Sequence, residues 1–389
     1  MKRLCFLVIC MSIIMGCSTS TSSTKALVDY VDPNIGTAHC RWFFYTPAAI
    51  PFGMAKLAPS TDAHLGNPGG WQAVGYDFRH TSIEGFANFH EFQVGGVVFA
   101  PTVGELQTVP GELENPDGGY RSRFDKKDEV AAPGYYSVLL KDYGVKAELT
   151  AMKRVGFHRY TYPKTELANL IFDIGNKQGE SGEVKDAEVQ YFEDGRVEGY
   201  VITSPVYVNI YQKGADVRMY FSAVLNKKPV QVGTFVKDVV NPGKHQEKGP
   251  GAGLYMTFST EEQEAVEVKV GLSYTSIENA RFNRETEAAD VTFDQAKKNA
   301  TDVWNESLSR IYVEGGKETD KVKFYTGLFH ALLGRGLASD ANGYYPKNNG
   351  TVGRIALDEE GNPVHQHYNT DAIFTLGATT LILRAAEEK

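Results

Sequence analysis

The sequence predicts a mixed β and α fold in which an antiparallel β-sandwich comes first and helices follow it. From residue 28 to about residue 277, short alternating or apolar runs are broken by glycine, proline and aspartate, which is typical of a sandwich. After that point the apolar residues recur at intervals of three and four, which indicates amphipathic helices. The composition agrees, since 39 glycines, 21 tyrosines and 21 phenylalanines favour strands and turns.

Residues 1–16 are the expected signal peptide of an exported protein. Two basic residues precede the apolar run 4–15, which is too short to span a bilayer as a permanent helix. The run ends in Ile14-Met15-Gly16-Cys17, which resembles the lipobox of bacterial lipoproteins and implies that Cys17 becomes acylated. We therefore expect a protein of the bacterial cell envelope, periplasmic or at the outer membrane, that meets the membrane only through this lipid anchor. An ordinary signal peptide that happens to hold a cysteine is the alternative.

Residues 17–27 form a Ser/Thr-rich tether that is too polar to pack. Cys5 and Cys10 leave with the signal peptide and Cys17 is acylated, so Cys40 remains alone and no intramolecular disulfide is expected. Cys40 beside His39 would suit a nucleophile and base for cleaving a glycan–asparagine amide. Neighbours in sequence rarely present both side chains to one reacting atom, so we favour a small, buried, apolar role for this cysteine.

The β-sandwich is assigned to residues 28–278. Its strands are expected at 134–140, 146–152, 156–162, 168–174, 196–203, 207–211, 217–224 and 265–274. Asp142-Tyr143-Gly144 and Glu193-Asp194-Gly195 supply tight turns between such runs. The Gly/Pro cluster at 241–251 predicts a mobile loop inside the domain rather than a domain boundary.

Residues 279–389 are assigned to a linker and the start of a helical domain. Asp294 is expected to cap a first helix that runs to Ile311, a second helix covers 319–333, and a third begins near Thr370. Each helix has an apolar stripe that needs a partner, so three of them after a complete β domain indicate that the helical domain is truncated. A compact three-helix cap on the sandwich is the alternative.

Composition and charge limit the classes of partner. The chain has 389 residues, of which 42% are hydrophobic and 23% charged, which fits a globular protein and excludes disordered and multi-span membrane proteins. The net charge of −8 would repel polyphosphate, so nucleic acid is excluded as a partner. The sequence specifies no oligomeric state.

Eight motifs, spread over nearly the whole chain after the tether, carry a family resemblance. They are VDPNIGT at 31–37, PFGM at 51–54, GGW at 69–71 with GY at 75–76, IEGF at 83–86, PGYYSV at 133–138, AELT at 147–150 with RVGFHRY at 154–160, FYTGLFH at 324–330 and DANGYY at 340–345. In this order they resemble the N-terminal half of glycoside hydrolase family 92, a family of calcium-dependent exo-α-mannosidases.

The resemblance implies an architecture and the location of the catalytic groups. The family joins its sandwich to an (α/α)6 helical barrel, so the helices after residue 279 resemble the opening of that barrel. The catalytic acid, the water-activating base and most calcium ligands of the family lie in later barrel helices. They are therefore expected beyond residue 389, and no metal ligand is assigned within this chain. An inverting glycosidase needs both carboxyl groups, so this chain by itself is expected to be inactive.

The first candidate contacts to a sugar lie before residue 75. Trp71 matches the sandwich tryptophan that in the family reaches over the active-site pocket, and an aromatic face suits the apolar face of a pyranose. Gly70 precedes it, and with Gly69 it indicates an exposed loop tip; a core indole is the alternative. Asp62 is expected to line the same cleft, although capping of its own loop explains it equally well.

Two further candidates stand where the sequence departs from the family motifs. His90 occupies the place of a paired-histidine segment, and a hydrogen-bonded structural histidine is the alternative. Asp371 aligns with an aspartate that binds the non-reducing mannose, or it caps the third helix. These two readings of Asp371 are compatible, because a residue at the mouth of a helix can face a pocket.

The predicted function is release of terminal mannose from α-mannans or N-glycans by a Ca2+-dependent inverting mechanism, with a mannose-containing glycan as partner. The rival hypothesis is a non-catalytic carbohydrate-binding sandwich module that holds a glycan through Trp71 and neighbouring tyrosines.

Overall fold

The structure is a computed structural model and describes residues 25–38, 45–61, 75–90, 95–176, 182–205, 209, 213–334 and 336–368. The predicted order of a β-sandwich followed by helices is confirmed in these residues. None of the helices in these ranges is long and apolar enough to cross a membrane.

Strands dominate the first two thirds of the chain. The first ten are β1 (Ala58–Ser60), β2 (Ser82–Ile83), β3 (Gly85–Ala87), β4 (Val98–Val103), β5 (Ser122–Arg123), β6 (Val130–Ala132), β7 (Tyr135–Leu140), β8 (Val145–Ala151), β9 (Val155–Tyr162) and β10 (Thr165–Asp173). The next ten are β11 (Glu183–Tyr191), β12 (Val197–Ser204), β13 (Val217–Leu225), β14 (Gln231–Val236), β15 (Val239–Pro242), β16 (Gln246–Lys248), β17 (Ala252–Thr260), β18 (Glu264–Ser273), β19 (Tyr344–Pro346) and β20 (Val352–Arg354).

Helices follow the last long strand. They are α1 (Ile277–Ala288), α2 (Phe293–Leu308) and α3 (Glu318–Leu333), and short 3-10 helices lie at Leu27–Tyr30, Pro116–Gly118 and Lys126–Asp128.

Two antiparallel sheets form the sandwich. One has seven strands in the order β1-β3-β4-β10-β17-β14-β15, and the other has nine in the order β16-β11-β12-β13-β18-β9-β8-β7-β6. Their inner faces share one apolar core, to which Leu149 and Tyr160 contribute from the nine-stranded sheet and Phe172 and Met256 from the seven-stranded sheet. The Phe99 and Phe172 rings pack 4.2 Å apart between centroids. This core holds the strands that carry the candidate site.

The outer face of the nine-stranded sheet is covered by α1 and α2. A second apolar cluster joins Val155 and Phe157 of β9 to Ala288, Phe293 and Ala296 of the helical segment. Such burial is worth about 1.5–3 kcal/mol for each large side chain.

Close approach of α1 to this sheet requires glycine at position 271. A Cβ atom at Gly271 would lie 2.1 Å from the carbonyl oxygen of Ala280 in α1. Gly134, whose φ is +81°, has the same role under α2, since its Cβ would lie 2.6 Å from the Cβ of Ala300.

The helices α2 and α3 pack on each other and on the N-terminal segment. Trp304 is fully buried, donates its indole N–H to the carbonyl of Ala49 at 2.7 Å, and packs against Phe329 with 4.6 Å between ring centroids. Leu27 and Tyr30 cover the same cluster from the 3-10 helix. The second predicted helix, 319–333, matches α3 (Glu318–Leu333) within one residue.

The helix α1 was not predicted, and the start of α2 is corrected. Thr292, rather than Asp294, caps α2, because the Thr292 hydroxyl accepts from the backbone N–H of Gln295 and the Gln295 side chain accepts from Thr292. Asp294 instead pairs with Arg159 of β9 at 3.0 Å. The helix ends at Leu308 rather than at Ile311.

Two β-region predictions are also corrected. The segment 241–251, expected to be a mobile loop, contributes to β15 and β16, which pair in register with β14 and β11. Of the predicted strand 207–211 only Asn209 is described, and its conformation is helical. Its backbone N–H donates to the carbonyl of Pro205, and its side-chain oxygen accepts from the backbone N–H of Gly214. The third predicted helix, near Thr370, lies outside the described residues.

We expect Gly271→Ala to lower the free energy of unfolding by about 1–3 kcal/mol or more, because the new methyl group overlaps a backbone carbonyl that cannot rotate away. The matched control is Gly327→Ala in α3, where a Cβ meets nothing within 4 Å. That change should raise stability by about 0.5–1 kcal/mol, since alanine is the better helix former. Urea unfolding of both variants measures the difference; equal midpoints would contradict the tight α1–sheet contact.

Candidate functional site

Most residues predicted to touch a sugar lie outside the described residues. These are Asp62, Gly70 and Trp71 in segment 62–74 and Asp371 after residue 368; Cys17 and Cys40 are likewise outside. His90 is described. The site is therefore built from the described side chains at the points where these segments begin and end.

His90 follows β3 and is buried, with 3% of its surface exposed. Its backbone N–H donates to the carbonyl of Lys56 at 3.1 Å, and its ring stacks on Tyr45 with 4.5 Å between centroids. Burial lowers the pKa of His90 to about 3, so the imidazole is neutral near pH 7. Its Nδ1 has no hydrogen-bond partner among the residues that the structure describes. A neutral ring can exchange hydrogen bonds but carries no proton to donate as an acid.

Lys56 connects His90 to the helical part of the chain. The residue is 1% exposed, and its ammonium donates to the carbonyl of Gly334, directly after α3, at 2.8 Å. Its backbone N–H donates to Asn88 at 3.1 Å. A buried ammonium is tolerated only with partners, so this contact fixes the end of α3 against the sandwich.

The chain after residue 368 leaves from the same neighbourhood. Leu337 donates its backbone N–H to Phe52 at 2.8 Å and pairs with Tyr368, whose ring lies edge-on to Phe52 at 6.3 Å between centroids. Phe52 is four residues before Lys56.

Further contacts lie at the flanks of three other segments. Two residues before segment 39–44, the carbonyl of Thr37 accepts from the backbone N–H of Phe78 at 3.0 Å. Directly after this segment, the ring of Tyr45 stacks on the ring of His90. Segment 62–74 begins and ends at Thr61 and Gly75, where Thr61 N–H donates to Gly75 at 2.7 Å. Segment 91–94 follows His90 directly. The structure thus links the flanks of the segments that hold the predicted sugar contacts.

A cleft of about 590 Å³ lies elsewhere, between the sandwich and the helices α1 and α2. Its floor is apolar, with Ile50, Met152 and Val303, and the buried pair of Arg154 and Glu287 lies at its side. The other two acids that line the cleft are also engaged, Asp302 by Lys298 and Asp340 by Thr275 and Asn283. The described lining therefore offers no pair of free carboxylates for general acid–base chemistry.

Calcium, which the family resemblance implies, needs six to eight oxygen ligands. No group of three or more histidine, cysteine, aspartate or glutamate side chains in the described ranges could hold a metal ion. The described residues therefore do not fit a calcium site.

Sequence reasoning singled out His90 but missed Lys56 and Tyr45, which contact it, and Thr61, which precedes segment 62–74. Lys56, Tyr45 and Thr61 lie in segments whose sequence marks them as ordinary strand or loop residues. Only the PFGM motif just before Lys56 gave a signal near this junction.

We expect His90→Gln to weaken the pH dependence of stability. The unfolded chain takes up a proton at the ordinary histidine pKa near 6.5, whereas native His90 does so only near pH 3. The stability that neutral His90 contributes is therefore fully present above pH 6.5 and is lost as the pH falls below that value. Between pH 7 and pH 5 the variant should lose about 2 kcal/mol less than the wild type. Urea unfolding at both pH values measures this, with His245→Gln on the surface as the control; equal losses in wild type and H90Q would contradict it.

Two family models cover most of the chain. The model of the Glycosyl hydrolase family 92 N-terminal domain matches residues 30–273, and the model of the Glycosyl hydrolase family 92 catalytic domain matches residues 279–375. The first match ends with β18 and the second begins within α1, where the strands give way to helices. No curated protein matches the sequence.

Solved structures share the fold. The family GH92 alpha-mannosidase BT3965 from Bacteroides thetaiotaomicron, solved also in complex with mannoimidazole, is 27% identical with a TM-score of 0.80, over 90% of this chain and 46% of its own. The gh92 family glycosyl hydrolase ccman5 is 24% identical with a TM-score of 0.74, over 90% and 45%. The inverting mannosidase BT2199 from Bacteroides thetaiotaomicron is 21% identical with a TM-score of 0.72, over 87% and 44%.

The chain therefore spans a little under half the length of these relatives. The similarity to ccman5 and to BT2199, at 24% and 21% identity, supports the fold alone. The N-terminal family model covers more than half of the residues, and the catalytic-domain model continues from it through α1, α2 and α3. The chain belongs to glycoside hydrolase family 92.

Proposed function

We propose that the whole protein is an exo-α-mannosidase that removes terminal mannose from α-mannans or N-glycans, and that this chain supplies its sandwich and the first helices of its barrel. The observation that carries the proposal is the match to both family domains, supported by 27% identity to an alpha-mannosidase. The assignment 28–278 for the sandwich and 279–389 for the opening of the helical domain belongs to the same proposal.

The proposed reaction proceeds with inversion. A carboxylic acid protonates the leaving oxygen, and a second carboxylate activates a water on the opposite face of the sugar. Both are assigned to residues beyond 389, and calcium, with its ligands there, would hold the vicinal hydroxyls of mannose.

The part assigned to this chain is binding of the sugar. Trp71 would stack on the apolar face of the pyranose, with Gly70 letting the backbone approach and Asp62 accepting a hydroxyl. Asp371 would accept hydroxyls of the non-reducing mannose. His90, which is neutral and buried, is better suited to a structural role than to proton transfer.

We also propose that the protein is exported to the bacterial cell envelope and held there by acylated Cys17. The basic start, the apolar run 4–15 and the Ile14-Met15-Gly16-Cys17 ending support this. The tether 17–27 would let the sandwich reach glycans near the membrane.

We expect residues 17–389 to release no mannose from α-linked mannobioses, because the proposal places the acid and the base beyond residue 389. The same chain extended to the next in-frame stop should release mannose with added Ca2+ and lose this activity in EDTA. Detection of free mannose measures both. Mannose release by residues 17–389 would contradict the assignment of the catalytic groups to later residues. If neither residues 17–389 nor the extended chain releases mannose, and both bind glycan, the result would favour the carbohydrate-binding module.

We expect Cys17→Ala to move the protein from the membrane fraction to the aqueous fraction, because acylation at this thiol is the proposed anchor. Fractionation of producing cells by detergent partition measures the shift. The control is Cys40→Ser, which should leave both membrane association and mannose release unchanged. Loss of mannose release in C40S would contradict the small, buried, apolar role expected for Cys40.

A further inference from the structure

Two tyrosines lie side by side on the outer face of the nine-stranded sheet. In β12, Val201 faces the core of the sandwich, so its neighbour Tyr200 faces outward. In β13, Met219 faces the core, so Tyr220 faces outward. Both tyrosines are partly exposed. This part of the sheet therefore presents two aromatic rings at the molecular surface.

The two rings are fixed in position by their neighbours. Tyr200 and Tyr220 are direct partners in the register of β12 and β13, and their ring centroids are 6.0 Å apart with 49° between the ring planes. The Tyr200 hydroxyl donates to Asp186 of β11 at 2.8 Å. Asp186 also accepts from the backbone N–H of Ala187 at 2.9 Å, which fixes the carboxylate. A ligand that lies on these rings would therefore lose little affinity to the ordering of side chains.

Hydrogen-bonding groups extend the row of tyrosines towards the edge of the sheet. Glu188 of β11 is the register partner of Tyr200, and Lys248 of β16 is the register partner of Glu188. Glu188 pairs with Lys248 at 2.9 Å and accepts from the side-chain amide of Gln246. Four adjacent strands, each about 4.8 Å from the next, spread these groups over about 14 Å. We call this set the outer-sheet surface; it consists of Asp186, Glu188, Tyr200, Tyr220, Gln246 and Lys248.

Two other parts of the chain border the tyrosine pair. Arg281 of α1 donates to Glu198, two residues before Tyr200, at 2.8 and 2.6 Å. Arg218, two residues before Tyr220, donates to the carbonyl of Gly350 in the turn between β19 and β20 at 2.8 Å. Because β12 and β13 are antiparallel, these contacts lie on opposite sides of the pair. A ligand on the rings would thus lie between α1 and this turn, across the strands.

The charges of the outer-sheet surface disfavour an ionic partner. Glu188 is already paired with Lys248, and the carboxylate of Asp186 would repel a polyanion. A carboxylate has about four lone-pair sites, so both acids can still accept hydrogen bonds from hydroxyl groups. A tyrosine ring offers an apolar face on which the C–H face of a pyranose can lie. A neutral ligand rich in hydroxyl groups therefore fits this surface.

We propose that the outer-sheet surface is a sugar-binding site for a neutral, mannose-containing glycan, whose chain crosses β13, β12, β11 and β16. The identity of the sugar rests on the proposed function, in which the whole protein acts on mannose-containing glycans. The surface itself consists of described residues. The tyrosine rings supply the apolar contact, and Asp186 and Glu188 accept hydroxyl groups.

Affinity electrophoresis of residues 17–389 in gels that contain α-mannan tests this site. All proteins carry Trp71→Ala, so that the ring contact proposed for Trp71 does not contribute. Tyr200→Ala and Tyr220→Ala should each lower the affinity for α-mannan about fivefold or more. Tyr220→Phe keeps the ring and should retain at least about half of the affinity. The matched control is Tyr312→Ala, because Tyr312 is 64% exposed and follows α2.

The result that would overturn the proposal is α-mannan binding that is unchanged by Y200A and Y220A, or that falls equally in Y312A. A second measurement needs no substitution at the site. Nitration of the tyrosines by tetranitromethane, mapped by mass spectrometry, should slow at least threefold at Tyr200 and Tyr220 when α-mannan is added, and not at Tyr312. Equal nitration rates with and without α-mannan at Tyr200 and Tyr220 would also overturn it.

The two measurements separate this inference from the proposed function. If the extended chain releases mannose but binding does not depend on Tyr200 and Tyr220, the sugar-binding site fails and the proposed function stands. If the extended chain releases no mannose but α-mannan binding depends on both tyrosines, the proposed function fails and the sugar-binding site stands.

Discussion

Strands β7 and β9 of the nine-stranded sheet carry apolar residues on both faces, and the rest of the structure depends on covering both. Strand β9 shows the constraint, since Tyr160 and Tyr162 face the core of the sandwich while Val155 and Phe157 pack with the helical segment. The seven-stranded sheet covers one face and α1 and α2 cover the other. Because burial of each large side chain contributes about 1.5–3 kcal/mol, the helices pack onto the sheet as part of the same fold. The sandwich and the first barrel helices are therefore physically continuous.

Buried charges then set the position of the chain after α3. Lys56 holds Gly334, and Arg154 donates to the carbonyl of Ser339 at 2.7 Å while pairing with Glu287 of α1. Asp340, whose pKa is raised by burial, accepts from Asn283 at 2.8 Å. Because a buried charge without partners is very costly, these contacts admit one path for residues 334–341. That path brings the end of α3 to Lys56 and Tyr368 to Phe52.

Local patterns predicted the long strands well because alternation of side chains is a property of a few consecutive residues. They missed α1, whose buried residues are Ala280, Asn283 and Ala288; two are small and one is polar, so no apolar stripe marks the helix. The motif residues near the sugar were chosen by resemblance. The buried polar residues escaped notice because their partners are distant in sequence: Arg121 meets Thr61 across 60 positions and Lys56 meets Gly334 across 278.

The sequence by itself determined the order of strands and helices and the family, because periodicity and short motifs are written in neighbouring residues. Only the tertiary structure decided which polar groups are buried and what they hold. Nothing in Met54-Ala55-Lys56 distinguishes Lys56 from a surface lysine. Its side chain is nevertheless buried, and its ammonium donates to the carbonyl of Gly334 directly after α3. The reason is that the partners of a buried charge are fixed by contacts between distant segments, which no local pattern contains.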